Sequence, residues 1–511
     1  MSDDIGSDDG RRERRSLLSE IGGAPWFGLI IGCVFLPCSY GVDNVPVAAW
    51  LAPVFLLRFA REQRWAVWVP VLFIVESAAG AFQFRGMTLS SGIGFWITVA
   101  LGGAVALVPF AVDRAVVARA GWPTRILVFP LSWTVLDYAN SFGPYGSWGA
   151  TAYSQYGELP LLQIVSVTGL WGITFLIGWF ATVCNGLLED GWVSRRARGA
   201  ACLFGIAIAA ILFAGGIRLA AFPPMAQTVR VASLSANDLP SRPKWPVWQR
   251  LVAGNSTVED LGEIHNWADL LDKDLLERTG KAAKSGARVI FWGEGNAQVL
   301  KGDEPTLLGE GSQLAIKDHI YLGMGVAVWT PGQTRPLENR FIMIEPTGQI
   351  AWQYEKAHPV PGAEAALTVR SDGRLRVINT PYGRLSAAIC FDADFPRTIA
   401  QVSDLGTDIL LNPSNDWRGI DPWHAEMASF RALEQGVSVI HQASHGLSAA
   451  YDYEGNRLAA VDYFRSHGAA MVTYVPIRGV RTIYSRFGDW FAWLSVAGLL
   501  AFMAIALRSR H

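Results

Sequence analysis

The sequence predicts two architectures in one chain: an α-helical membrane domain and a layered α/β domain that folds in water. Three observations carry this. Of 511 residues, 51% are hydrophobic and only 17% charged, where about a quarter is usual. The apolar residues concentrate at 24–220 and 489–507, whereas 228–480 has an ordinary globular composition. Within that stretch, short apolar runs alternate with longer amphipathic ones, the signature of stacked strands and helices.

Eight apolar segments can be drawn, at 24–41, 45–60, 65–84, 92–113, 125–141, 161–188, 199–219 and 489–507. A spanning helix needs about 20 apolar residues, so the second is short. Arginine placement fixes the alternation. Arg11, Arg12, Arg14 and Arg15 precede the first segment. Arg58, Arg61 and Arg64 lie around the end of the second, Arg114, Arg119 and Arg125 between the fourth and fifth, Arg195, Arg196 and Arg198 after the sixth, and Arg508 and Arg510 after the eighth. The loops between hold almost no basic residue, so the positive-inside rule puts both termini in the cytoplasm and residues 220–488 on the outer face. The expected division is a cytoplasmic tail over 1–19, a seven-helix membrane domain over 20–222, an exported domain over 223–482, and a last transmembrane helix with a short tail over 483–511. No small-residue cleavage site marks the N-terminus as a removable signal. Glu76 and Asp137 fall within or at the edge of helices, where a carboxylate is costly unless it serves a function or is paired.

In the exported domain, 229–234 alternates like a half-buried strand and 258–285 carries leucines at helical spacing. Strands are expected at 287–292, 321–329, 341–345, 350–354, at the run before Cys390, and at 409–412, 437–442 and 469–475. Helices are expected at 305–317, 397–403 and 422–435. Three positions with chemical potential fall at strand ends or just beyond: Glu294, Lys356 and Cys390, where layered α/β folds place their functional crevice. Cys390 is the only cysteine of this domain; Cys33, Cys38, Cys184 and Cys202 lie in apolar segments, where a thiol acts as a small filler. A thiol nucleophile needs a base for its proton and a cation for the oxyanion formed on acyl transfer. A carboxylate and an ammonium supply both. Singly, Glu294 reads as a loop acid, Lys356 as a turn charge and Cys390 as a packed thiol; only their joint occurrence argues for a site.

Other chemistries find no support. A net charge of -1 without a lysine-rich run argues against nucleic acid. There is no CxxC pair, no glycine-rich nucleotide loop after a strand and no Walker sequence, so no cofactor is assigned. His441 and His445 share a strand face without further ligands, so no metal is assigned either.

Several stretches resemble the nitrilase, or carbon–nitrogen hydrolase, superfamily, and within it the apolipoprotein N-acyltransferases. Phe291-Trp292-Gly293-Glu294 is similar to the segment holding the family's base, Tyr354 to Glu364 to its lysine segment, and Ile389-Cys390-Phe391-Asp392 with Phe395-Pro396 to its nucleophile turn. Ser414-Asn415-Asp416-Trp417 and Phe430-Arg431-Ala432-Leu433-Glu434 resemble the segments after it, and Ala152 to Gln155 with Leu162-Gln163 resembles the membrane part. Gly293 stands where proline is usual, Asp392 where glutamate is usual, and Ala443-Ser444-His445-Gly446 where a threonine-asparagine pair is common.

The resemblance implies an αββα sandwich and a Glu294-Lys356-Cys390 triad, with Glu364, Phe391, Asp392 and Trp417 in supporting or substrate-binding roles. It implies acyl transfer from a phospholipid donor, through a Cys390 thioester, to the N-terminal amine of a diacylated lipoprotein, in the bacterial cytoplasmic membrane. Two alternatives stay open at this point: a membrane-tethered amidase acting on a small amide, favoured by Asp392, and a non-catalytic scaffold for a partner enzyme.

Overall fold

A computed structural model of the chain describes residues 25–88, 92–119, 121–466, 468 and 470–508. The expected tail over 1–19 lies outside the described residues, as does Arg510.

Each of the eight apolar segments contains helix. The elements are α1 (Pro25–Phe35), α2 (Pro46–Glu62), α3 (Trp65–Gln83), α4 (Ile93–Ala106), α5 (Val108–Val117), α6 (Trp122–Asn140), α7 (Trp171–Asp190) and α8 (Arg195–Ala221), with α13 (Trp490–Arg508) after the second domain. Among the described residues, five stretches are long and apolar enough to cross a membrane: Trp65–Gln83, Ile93–Val117 (α4 and α5 together), Trp171–Asp190, Arg195–Ala221 and Trp490–Arg508. Length and hydropathy thus support five of the eight expected spans. One boundary is corrected outright. Instead of one helix over 161–188, two single turns, Leu159–Leu162 and Val165–Thr168, precede α7. Gly169 separates them with φ +66, and the ring of Tyr484 stands 2.4 Å from where its Cβ would be, so only glycine fits the left-handed turn there. The apolar residues of this stretch pack sideways: Leu162, Val165 and Leu170 share a core with Trp423, Met427, Phe430 and Leu433 of the second domain.

The two ends of the helical bundle differ in charge. At one end, Arg61 near the end of α2 makes two 2.8 Å hydrogen bonds to Asp113 of α5 and approaches Glu189 of α7 at 3.7 Å. Arg125 of α6 pairs with Glu189 and lies 3.5 Å from Asp190. The opposite end carries the second domain. There Asp137 closes α6 by accepting from Thr151 N (3.0 Å) and Thr174 Oγ1 (2.9 Å), which satisfies this buried carboxylate within the fold.

The second domain consists of two six-stranded ladders and their helices. The first runs β13 (Met471–Pro476), β1 (Thr228–Leu234), β2 (Val289–Trp292), β4 (Tyr321–Trp329), β5 (Leu337–Ile344), β6 (Ile350–Glu355), with the short β3 (Ala297–Leu300) added against β4. The second runs β12 (Arg457–Asp462), β11 (Leu447–Tyr451), β10 (Ser438–Ser444), β9 (Ile409–Asn415), β8 (Gly383–Ala387), β7 (Val377–Thr380). Side-chain alternation builds the layers. Val289 and Phe291 of β2 join Leu385, Ala387, Leu411 and Val439 between the sheets. Ile290 and Trp292 point the other way, onto α9 (Val258–Lys284) and α10 (Glu304–Asp318) through Leu275, Ala283, Leu307 and Ala315. On the far side, α11 (Pro396–Asp404) and α12 (Trp423–Gln435) cover the second sheet with Ile399, Val402, Ala425 and Ala428. The result is the αββα sandwich. Helix α9 begins where Thr257 and Asp260 reciprocally cap the first turn. The strands β3, β7, β11 and β12 are not anticipated from the sequence; each is only four to six residues long.

Candidate active site

Glu294 follows β2, Lys356 follows β6 and Cys390 lies just beyond β8, and the Cys390 thiol is close enough to feel the charges of both Glu294 and Lys356. The Lys356 ammonium is 2.6 Å from Glu294 Oε1 and 2.7 Å from Glu364 Oε1. It is only 1% exposed, so its donors depend on these acceptors. Glu294 is itself held from two sides: Asn339 Nδ2 donates to Oε1 at 2.7 Å and the Asn415 backbone N–H to Oε2 at 3.0 Å. Glu364 takes the Val360 N–H at 2.8 Å on its second oxygen, which folds the segment after Lys356 back over the ammonium.

Cys390 is buried and adopts φ +47, a conformation a non-glycine residue holds only when its surroundings impose it. It opens a single turn of 3-10 helix, Cys390–Asp394. Asn412 Nδ2 donates to the carbonyls of Ala388 (2.8 Å) and Cys390 (3.3 Å), clamping this turn to β9. Asp392 is the other clamp. It accepts from Tyr354 Oη at 2.8 Å and from the backbone N–H groups of Ala357 and His358, so it fastens the nucleophile turn to the lysine segment without touching the ammonium. Phe391 is buried beside Trp148 of the membrane part. Trp417 lines the same cavity as Cys390 and donates its indole N–H to the Gly86 carbonyl beyond α3 at 2.7 Å.

The electrostatics follow from burial and pairing. Burial works against the Lys356 ammonium, but Glu294 and Glu364 outweigh it and lift its pKa well above the ordinary lysine value. Burial and the neighbouring Glu294 carboxylate push the Cys390 thiol well up, against the opposing pull of Lys356. The resting set is thus a thiol beside a carboxylate–ammonium pair. Burial raises Asp392 to about 6 despite Lys356 and its hydrogen bonds.

A second polar chain, unforeseen from sequence, runs behind the thiol. His424 of α12 places Nδ1 2.7 Å from Asp416 and Nε2 3.3 Å from Asp394. His441 places Nε2 3.2 Å from Asp416 and Nδ1 2.7 Å from Asn412 Oδ1, so the chain ends on the residue that clamps Cys390. Burial disfavours the His424 cation, but its two carboxylates raise it to about 10. For Asp416, burial is overcome by His424 and His441, which hold it well below the usual carboxylate range. Burial lowers His441. Cys390, Asp416 and His424 bring ligand-type atoms within 4.8 Å of one another, but both His424 nitrogens are engaged by carboxylates. His441 and His445 do not converge: His445 turns outward to Asn415 and Asp238.

The membrane part leans directly on the nucleophile turn. Ser147 donates both its N–H (2.7 Å) and its hydroxyl (2.8 Å) to the Asp394 carbonyl, and Leu170 N–H meets Glu434 of α12. Between them lies a cavity of about 790 Å³ that runs from Glu76, Gly102 and Phe110 among the helices, past Trp133 and Trp148, to Cys390. Its walls are mainly apolar.

A helical bundle carrying an αββα domain with a buried thiol, carboxylate and ammonium defines a membrane-attached protein of the carbon–nitrogen hydrolase class, and the profile of that family matches residues 230–477. Residues 27–183 match the apolipoprotein N-acyltransferase N-terminal domain. The chain belongs to the apolipoprotein N-acyltransferase family. It is 26% identical to the apolipoprotein N-acyltransferase of Geobacter metallireducens over 98% of this chain and 99% of that protein. It is 27% identical to the one of Rhodopseudomonas palustris over 87% of this chain and 83% of that protein. Among solved structures, an amidase from Nesterenkonia sp. aligns with 50% of this chain and 92% of its own at 17% identity and a TM-score of 0.38.

Proposed function

We propose that this chain moves a fatty acyl group from a phospholipid to the N-terminal amine of a diacylglyceryl-cysteine lipoprotein, with Cys390 as the acyl carrier. Glu294 takes the Cys390 proton as the sulfur attacks the ester carbonyl. Lys356, with the Phe391 N–H, stabilises the oxyanion of the tetrahedral intermediate. Collapse breaks the ester bond, Glu294 returns the proton to the departing lysophospholipid oxygen, and a thioester remains. The lipoprotein amine then attacks the thioester, gives its proton to Glu294, and leaves as an amide while the sulfur regains a proton. Glu364 positions Lys356, and Asp392 keeps the lysine segment against the nucleophile turn.

The observation that carries this reading over hydrolysis of a small soluble amide is the cavity of about 790 Å³ joining the apolar helices to Cys390. A fatty chain needs such a space; a small amide does not. The names of the relatives point the same way. The topology belongs to the same reading: eight spans in total, the shorter helices sheltered by their neighbours, and both termini cytoplasmic. The arginine-rich end of the bundle then faces the cytoplasm of the bacterial inner membrane and the catalytic domain the outer side. The corresponding division is 1–19, 20–222, 223–482 and 483–511. Intact-mass analysis of protein purified from membranes tests the chemistry. A fatty-acyl increment on the Cys390 peptide, discharged by a diacylated lipopeptide, is expected. Ammonia release from small amides without such an adduct would sink the proposal.

A further inference from the structure

A second cavity, of about 520 Å³, lies away from the thiol, where the catalytic domain hands over to α13. Arg384, Arg478, Arg481 and Arg486 line it, against two carboxylates, Asp404 and Asp408. Asp408 is already occupied by the backbone N–H groups of Arg384 and Gly479, each at 2.9 Å, with Arg478 only at 3.8 Å. The guanidinium groups of Arg384, Arg481 and Arg486 have no hydrogen bond or ion pair among the described residues. A second observation points to a ligand. Thr407, on the cavity wall, is 5% exposed, and its buried hydroxyl has no partner among the described residues. Buried hydroxyls are rarely left unpaired.

The surroundings say which anion. The rim continues into exposed Val480, Ile483 and Phe487, followed by Trp490 and Trp493 at the start of α13. Exposed aromatics beside a spanning helix mark the headgroup level of a bilayer. Guanidinium groups match tetrahedral oxyanions through paired N–H donors. The space is much larger than a phosphate alone.

We propose that this cavity is a phosphate-binding site, filled in the membrane by the headgroup of a phospholipid. The arginines hold the phosphate oxygens, Thr407 donates to one of them, and the acyl chains lie along Phe487 and α13. The site is distinct from the acyl-transfer centre and does not depend on that reading.

The test uses the full chain purified in mild detergent, as wild type, R481Q/R486Q and T407V, with retained phospholipid counted by native mass spectrometry. Wild type is expected to keep a tightly held phospholipid whose occupancy drops roughly tenfold or more in R481Q/R486Q, which removes two charged hydrogen-bond donors. T407V, which fills the same volume, is expected to lose it in part while its melting temperature holds, and it carries the test should the double variant fold poorly. A second arm adds millimolar inorganic phosphate to delipidated protein. Protection by phosphate in wild type alone, without lipid retention, keeps the anion site but makes free phosphate its source. Equal retention and equal protection in all three proteins overturn the proposal.

Discussion

The Lys356 ammonium sits 2.6 Å from the Glu294 carboxylate with both groups almost wholly buried. Neither residue is tolerable there without the other, and the fold adds Glu364 as a second acceptor for the ammonium and Asn339 and the Asn415 N–H as donors to the carboxylate. Replacing Lys356 with Met leaves two carboxylates facing each other. A loss of acyl transfer to a diacylated lipopeptide of about 10²–10³-fold is expected, with a destabilisation of ~3–5 kcal/mol. Glu294→Gln is expected to lose comparable activity while keeping its melting temperature closer to wild type, because an amide still accepts from the ammonium. Retained transfer in Glu294→Gln would remove this residue from the proton path.

The His424 bridge between Asp394 and Asp416 makes stability depend on alkaline pH. Its folded pKa, about 10, lies above the ordinary histidine value of about 6.5. A raised cationic group contributes in full below its unfolded pKa, and the contribution fades as pH climbs through the folded one. Thermal unfolding in detergent is therefore expected to show wild type losing stability between pH 7 and pH 10. His424→Gln should start lower at pH 7 and vary less over that window. Parallel slopes in the two proteins would contradict the assignment.

Gly146 offers a test of the contact between the two domains. It has φ +55, and a Cβ there would stand 2.4 Å from the Asp394 carbonyl oxygen. Gly146→Ala is expected to cost about 1–3 kcal/mol and to slow acyl transfer although no reacting group is touched, by displacing the turn that holds Cys390. Gly149→Ala is the control: nothing lies within 4 Å of its Cβ position, and both stability and activity should stay near wild type.

Gly102 lines the large cavity and has open space at its Cβ position. Gly102→Phe should therefore fold yet obstruct the hollow. Transfer from a long-chain donor is expected to fall relative to a short-chain donor by about 10-fold or more, the discrimination typical of a filled apolar pocket. An unchanged ratio would mean that the acyl chain does not run past α4.

Much of this architecture was legible in the sequence because its signals are local. The alternation in Val289-Ile290-Phe291-Trp292 sends side chains to two different cores, and that period of 2 is visible without any partner. The convergence of Glu294, Lys356 and Cys390 was readable only as strand-end placement combined with a family resemblance. What escaped has a common cause. Gly169 ends a helix because Tyr484, more than 300 residues later, occupies the space beside it. His424 looks like one polar residue of an amphipathic helix; its role depends on Asp394 and Asp416 arriving from two other elements. The apolar run at 159–168 has the composition of a membrane span, yet much of it is spent on packing beneath α12.

Cys390 lines a mainly apolar hollow that continues among the membrane helices. In the reaction proposed, a fatty thioester formed there keeps its chain in surroundings akin to those it left, with little hydrolytic competition. The loaded protein can then outlast its donor, and the lipid and the lipoprotein need never occupy the cleft together.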